Sequence, residues 1–184
     1  MIVLAAGCAG GPQAPDWQAN AAQALAAFQR LYFAGDTAAA ETEFNRARRE
    51  LARTGRPDVV ARAELVRCAV RAASLEFDEC PGFQRLRQDA GAQELAYADY
   101  LAGKATGKGS RSGEPLARLV AHAVQLRSSQ IAPAGVAAAV DITSTQGWRR
   151  PLLAWLGVQL RLAEEAGELE NASHLRRRIE LISG

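Results

Sequence analysis

A chain of 184 residues, with 48% hydrophobic and 23% charged residues, is long enough to bury a core without cross-links and is balanced as globular proteins are. Its net charge of +2 is too small to argue for a nucleic-acid partner, and no stretch reaches the roughly 18 consecutive apolar residues that a membrane span needs. All but two of the 22 basic residues are arginine, the exceptions being Lys104 and Lys108, and they scatter among acids rather than forming an anion-binding run. Alanine is abundant and β-branched residues are sparse, a mixture that favours helix because alanine loses no side-chain entropy there.

The chain starts with apolar residues 2–6, then Gly7 and Cys8, then AGGPQAPD, a small and polar run with two prolines. Asp16 is placed to cap a first helix over 17–34, whose Ala21, Leu25, Phe28 and Tyr32 share one face. Gly35 stops it, and Asp36 or Thr37 caps a second helix to about 54, with Ala40, Phe44, Ala47 and Leu51 inward. Gly55 and Pro57 punctuate. Asp58 then caps a third helix carrying Leu65, Cys68, Ala72 and Leu75 on one side. Pro81 starts a short helix to Arg87, another spans 92–101, and the Gly- and Ser-containing stretch over 103–114 reads as a flexible loop. Pro115 opens a helix to about 128 with Leu116, Leu119, Ala123 and Leu126 inward, and a shorter one follows over 133–140. DITSTQG reads as a loop in which Ser144 or Thr145 caps a helix over about 146–167, its ordered part starting nearer Arg150 because Pro151 would otherwise be interior. That helix carries Trp148, Leu152, Trp155 and Val158. The last spans 169–182 with Leu169, Ala172, Leu175, Ile179 and Ile182 aligned. No strand is predicted. Short turns between helices make sequential neighbours antiparallel, so the expectation is an all-α fold of antiparallel helical hairpins.

LAAGC, followed by a flexible run, resembles the cleavage end of a bacterial lipoprotein signal. The resemblance implies that Cys8 becomes thioether-linked to diacylglycerol, that the segment before it is removed, and that several acyl chains hold the protein at a membrane. It predicts a truncated signal over 1–7, whose basic and longer apolar parts would lie upstream of Met1, and a tether over 8–16. The family's retention signal for the inner membrane has Asp after the cysteine. Ala9 stands there, which implies the periplasmic face of the outer membrane. Gly35, Ala40, Phe44 and Ala47 also resemble the second half of a tetratricopeptide repeat, with a glycine turn and then small, aromatic and small residues on the returning helix. Gly167, Leu169 and Ala172 echo it, with Ile179 in place of a small residue. This implies either a tetratricopeptide-like right-handed array or an irregular helical bundle.

Cys68 and Cys80 form an even pair, and in an oxidising compartment they are disulfide candidates. Twelve residues of continuous helix would part them by about 18 Å, against the roughly 7 Å a bridge tolerates. The bond therefore requires a reversal over 76–81 or an early end to the third helix. Otherwise Cys68 is a small core residue. Their spacing does not suit a zinc knuckle, and no metal or other cofactor is expected. His122 and His174 lack acidic sequence neighbours, and Asp78 with Glu79 reads as a solvated helix end. Trp148, Arg149 and Arg150, together with Arg176, Arg177 and Arg178, make the candidate partner surface, since aromatic and arginine residues anchor interfaces.

No nucleophile elbow, phosphate loop or His-Glu-x-x-His set is present, so no catalytic residue is assigned and the chain is read as a non-enzyme. The expected role is a membrane-anchored scaffold in the cell envelope, docking an envelope protein or peptide. Two alternatives stand beside it: a peptidoglycan-active helical enzyme with one catalytic Glu (Glu41, Glu76 or Glu164), and a cytosolic helical adaptor with free thiols at Cys68 and Cys80.

Overall fold

A computed structural model describes residues 15–104 and 113–184. The lipidation candidate Cys8, the signal over 1–7, nearly all of the tether over 8–16 and most of the loop over 103–114 lie outside the described residues.

The fold is all-helical. The described elements are α1 (Asp16–Ala34), α2 (Thr37–Ala52), α3 (Pro57–Ala73), α4 (Pro81–Gln84), a 3-10 turn (Arg87–Asp89), α5 (Ala92–Leu101), α6 (Pro115–Arg127), α7 (Pro133–Thr145), α8 (Arg149–Glu165) and α9 (Leu169–Ser183). Helices α1 and α2 form a hairpin across Gly35. There the N–H of Gly35 donates to Tyr32 O and that of Asp36 to Leu31 O, which satisfies the last carbonyls of α1. Gly35 sits at φ 102°, a left-handed conformation open to glycine without cost. Asp36 caps α2, its Oδ1 accepting from Ala39 N at 3.0 Å. Asp16, expected as the cap of α1, is instead its first helical residue behind Pro15, and Asp58 lies inside the first turn of α3, behind Arg56 and Pro57.

Helix α3 is the centre of the molecule. It packs against α1, α2, α5 and α6, and residues all round it are buried, among them Ala61, Leu65, Cys68, Ala69, Val70 and Ala73. The chain then continues through α6 and α7 to α8, which packs on α7 and α9 and returns to α1. This last contact joins elements more than a hundred residues apart in sequence. A solenoid whose repeats touch only their neighbours would not make it. The arrangement is a helical bundle with one main core, containing Phe28, Phe44, Phe83, Leu119, Trp155 and Leu156. The fully buried Trp155 donates from Nε1 to Ala73 O at 3.0 Å, tying α8 to the end of α3.

Four further sequence expectations need correction. DITSTQG is not a loop, because α7 runs on through Thr145 and buries Ile142 and Thr143. The Thr143 hydroxyl bonds back to Ala139 O and so satisfies itself within the helix. Neither Ser144 nor Thr145 caps α8, whose N-cap is Trp148. Leu75 is not on the face of α3 but lies beyond its end at φ 62°. Leu169, expected inward, is 79% exposed, which removes it from the repeat-like echo, whereas Ala172 and Leu175 are buried.

Candidate functional site

Two constructions stand out. One is a groove, the other a polar junction. The groove has a volume of about 520 Å³, within the range of ligand-binding clefts. Val66 and Ala69 of α3 and Val120 of α6 lie along it, with Leu116 at the start of α6, Tyr97 of α5 and Trp148 between α7 and α8. Gln29 and Gln146 supply amides. These residues meet because α3 is the common neighbour of α1, α5 and α6, while α8 closes against α1. Trp148 is fixed from behind by Phe33, their ring centroids 4.7 Å apart. Tyr97 is braced by Tyr100 at 6.0 Å. Tyr97 as a whole is 38% exposed. Burial, with Tyr100 beside it, pushes its hydroxyl up to about 12, so it remains a hydrogen-bond donor across the physiological range.

The junction is built around Glu76, in the connection between α3 and α4. Tyr32 of α1 donates its hydroxyl to Glu76 Oε2 at 2.6 Å. Arg150 of α8 meets Glu76 Oε1 at 3.4 Å and lies 4.0 Å over the Tyr32 ring. The same guanidinium donates to Gly35 O at 3.0 Å and to the Thr37 hydroxyl at 2.5 Å. Arg71 of α3 reaches Glu76 at 3.8 Å and Asp78 at 2.8 Å. Burial, then the hydrogen bond and charge of Glu76, push the Tyr32 phenol up to about 12, against the opposing pull of Arg150.

The predicted partner surface therefore divides. Trp148 lines the groove. Arg149 turns to the end of α9, donating to Ile182 O at 3.0 Å and Ser183 O at 3.3 Å, where a cation meets the last carbonyls of a helix. Arg150 is engaged in the junction. Arg176 pairs with Glu164 at 2.5 Å, Arg177 bonds Ser173 at 2.9 Å, and Arg178 is half-buried on the same helix. Neither of these bonds involves Trp148, Arg149 or Arg150.

Cys68 and Cys80 are joined in a disulfide, their Cα atoms 5.8 Å apart. Helix α3 ends at Ala73 and the chain turns at Leu75, so of the two routes to a bridge it takes the early end of the third helix, with the turn just before 76–81. Among the described residues, Cys68, Asp78 and Cys80 are the one group whose metal-ligating atoms converge, all within 4.8 Å of one another. With the sulfurs bonded to each other neither is a thiolate, and Asp78 already accepts from Cys80 N and Arg71.

Each carboxylate nominated for catalysis has a cationic partner: Glu41 has Arg67 at 2.8 Å, Glu76 has Arg150 and Arg71, and Glu164 has Arg176. Two buried acids escaped the sequence reading. Glu64 binds Arg48 at 3.0 Å, and Glu94 binds Arg62 at 2.7 Å, a bond that holds the Glu94 carboxyl below its ordinary range. His122 is half-buried with its pKa lowered, chiefly by burial, and His174 is exposed on α9.

Tyr97, Val66 and Val120 were also missed as site residues. Each lies on a different helix, so no local spacing links them. The available signal was the aromatic pair Tyr97 and Tyr100, one turn apart on a short helix. Compared with family models, with curated proteins and with solved structures, the chain matches none.

Proposed function

We propose that the protein is a lipid-anchored helical scaffold of the bacterial envelope, which docks an apolar segment of an envelope protein in the Trp148–Tyr97 groove. The groove carries the reading. It is mainly apolar, walled by two braced aromatic rings and edged by the amides of Gln29 and Gln146 and the carboxylate of Glu114, groups able to bond a partner's backbone. Its walls come from helices already fixed by a common core, so little order is lost on binding. The mechanism is passive: a helix or extended segment sets apolar side chains between Trp148 and Tyr97.

The address rests on two supports. LAAGC with Cys8 resembles a lipoprotein cleavage end, and the disulfide suits an oxidising compartment. Anchoring at Cys8 would leave the helical body facing the periplasm.

A photo-crosslinking residue placed at Tyr97 in cells should trap one discrete envelope protein, and the same probe at the exposed Leu181 of α9 should not. Equal, diffuse labelling from both positions would sink the docking reading. The address is tested separately. Acyl labelling at Cys8 that globomycin abolishes is expected, and an unlabelled, unprocessed chain would refute it.

A further inference from the structure

Residues 74–80 join α3 to α4, and the connection is under backbone strain. Leu75 at φ 62° and Cys80 at φ 50° both occupy the left-handed region, which residues with bulky side chains disfavour. Such conformations persist only where the surroundings over-determine them. Here the restraint comes from polar bonds to several helices rather than from burial. Glu76 holds Tyr32 of α1 and Arg150 of α8, Asp78 holds Arg71 of α3, and Glu79 meets Arg127 of α6 at 3.5 Å. One short irregular segment thus reaches four helices. Its far end is fastened covalently to α3 through Cys80 and Cys68.

The two sulfur-bearing residues are not equivalent. Cys68 is only 8% exposed, within the core-facing side of α3. Cys80 is half-buried and lines a water-sized recess of about 20 Å³ beside Gln84 and Lys104. A thiolate arriving from solvent meets Cys80 first.

We propose that the Cys68–Cys80 bond is a thiol-exchange site and a redox lock. Its reduction frees residues 74–80 and withdraws Glu76 from α1 and α8, while the helical body stays folded. The reductant is a dithiol. One of its thiolates attacks Cys80 Sγ, a bond forms between them, and the Cys68–Cys80 bond breaks with its electron pair leaving on Cys68 Sγ, which takes up a proton. The second thiol of the reductant then displaces Cys80 in the same way. The reductant ends as a disulfide, and the protein gains two electrons, two protons and two thiols.

Once free, Leu75 and Cys80 relax toward ordinary backbone angles and the carboxylate of Glu76 leaves the junction. The body remains joined without it. Arg150 keeps Gly35 O and Thr37, Trp148 keeps Phe33, and Trp155 keeps Ala73 O.

The test uses the oxidised full chain carrying Cys8→Ser, so that one pair alone can exchange. After brief exposure to glutathione and an alkylating quench, peptide mapping should find glutathione on Cys80 and the alkyl group on Cys68. Full reduction with dithiothreitol should raise amide hydrogen exchange at Glu76 and Cys80, the two amides over 76–80 that donate hydrogen bonds, by about tenfold or more, with α2 unchanged and helical circular dichroism retained. Glutathione on Cys68, unchanged exchange at Glu76 and Cys80, or loss of protection throughout the chain would each overturn the proposal. A Glu76→Gln variant with the disulfide closed separates lock from link. It should raise exchange at the start of α8 while leaving the Cys80 amide protected, and no change at α8 would remove Glu76 from the scheme.

Discussion

The turn after α1 and the turn after α3 are closed by the same hydrogen bonds and stabilised in different ways. At the first, Gly35 N donates to Tyr32 O at 3.1 Å and Asp36 N to Leu31 O at 3.0 Å. At the second, Leu75 N donates to Ala72 O at 2.8 Å and Glu76 N to Arg71 O at 3.0 Å. Both patterns need one residue in the left-handed region. Glycine fills that place at the first turn and leucine at the second. The α1 turn is therefore self-sufficient, and a side-chain cap at Asp36 starts the next helix at once. The α3 turn opposes its own local preference and relies on a disulfide and on carboxylates reaching helices distant in sequence. The contrast teaches that one backbone motif can be encoded locally or imposed by tertiary contacts.

The largest test of the contrast removes the covalent support. Replacing Cys68 and Cys80 together by serine should lower stability by about 3 kcal/mol, from the loop entropy returned to the unfolded chain, measured by urea unfolding. An equal loss for a control cysteine change far from the α3 turn would erase the distinction.

Next is Gly82→Ala, just past the strained connection. A Cβ there would lie 2.0 Å from Glu64 Oε2, in a buried site where Arg48 restrains that carboxylate. A loss of about 1–3 kcal/mol is expected from the forced displacement, read from the same denaturation curves.

Third, Glu76→Gln should cost about 1–2 kcal/mol through its hydrogen bonds to charged partners, and it should alter the alkaline limb of stability. The Tyr32 phenol is raised to about 12 in the folded protein, against about 10 in an unfolded chain. The folded state therefore holds the proton longer, so this phenol's contribution to stability is fully present below pH 10 and is lost as pH rises through 12. Without the Glu76 charge Tyr32 should titrate lower and that loss should shrink. Tyr97, also near 12, should not move. Phenolate absorbance during alkaline titration measures both.

The smallest effects are a matched pair. Gly35→Ala should destabilise by about 1 kcal/mol, because alanine enters the left-handed region at a cost. Ser129 occupies the equivalent place after α6, at φ 56° and exposed. Ser129→Gly should stabilise by about 0.5–1 kcal/mol. Thermal melts of the two variants should shift in opposite directions.

Much of the helical plan was legible because its signals are local. Apolar residues three and four apart gave Phe28 and Tyr32 to the core, as they gave Phe44 and Ala47. Pro115 and Pro133 marked helix starts, and Gly35 marked a stop. The errors fall where local signals were weak or misleading. The end of α3 carries no glycine, so its periodicity seemed to extend through Leu75. DITSTQG is rich in turn formers, yet burial of Ile142 and Thr143 carried α7 through it. At the site, the residue type and setting of Trp148 suggest a partner contact, and the structure puts Trp148 in the groove wall. Arg150 was singled out with it, but its geometry serves the junction with Tyr32 and Glu76.

By itself, the sequence determined that the chain is helical, where most helices begin, and that Cys68 and Cys80 could meet only if the chain reversed over 76–81 or the third helix ended early. Helix periodicity, capping and proline effects act over a few residues, so they can be read from neighbours in sequence. Only the tertiary structure decided that α8 returns to α1, that Glu76 joins helices distant in the chain, and that Trp148 and Tyr97 flank one groove. Those outcomes depend on how apolar faces fill a common core, and the partners of a buried face are set by shape and volume across the whole chain rather than by spacing along it.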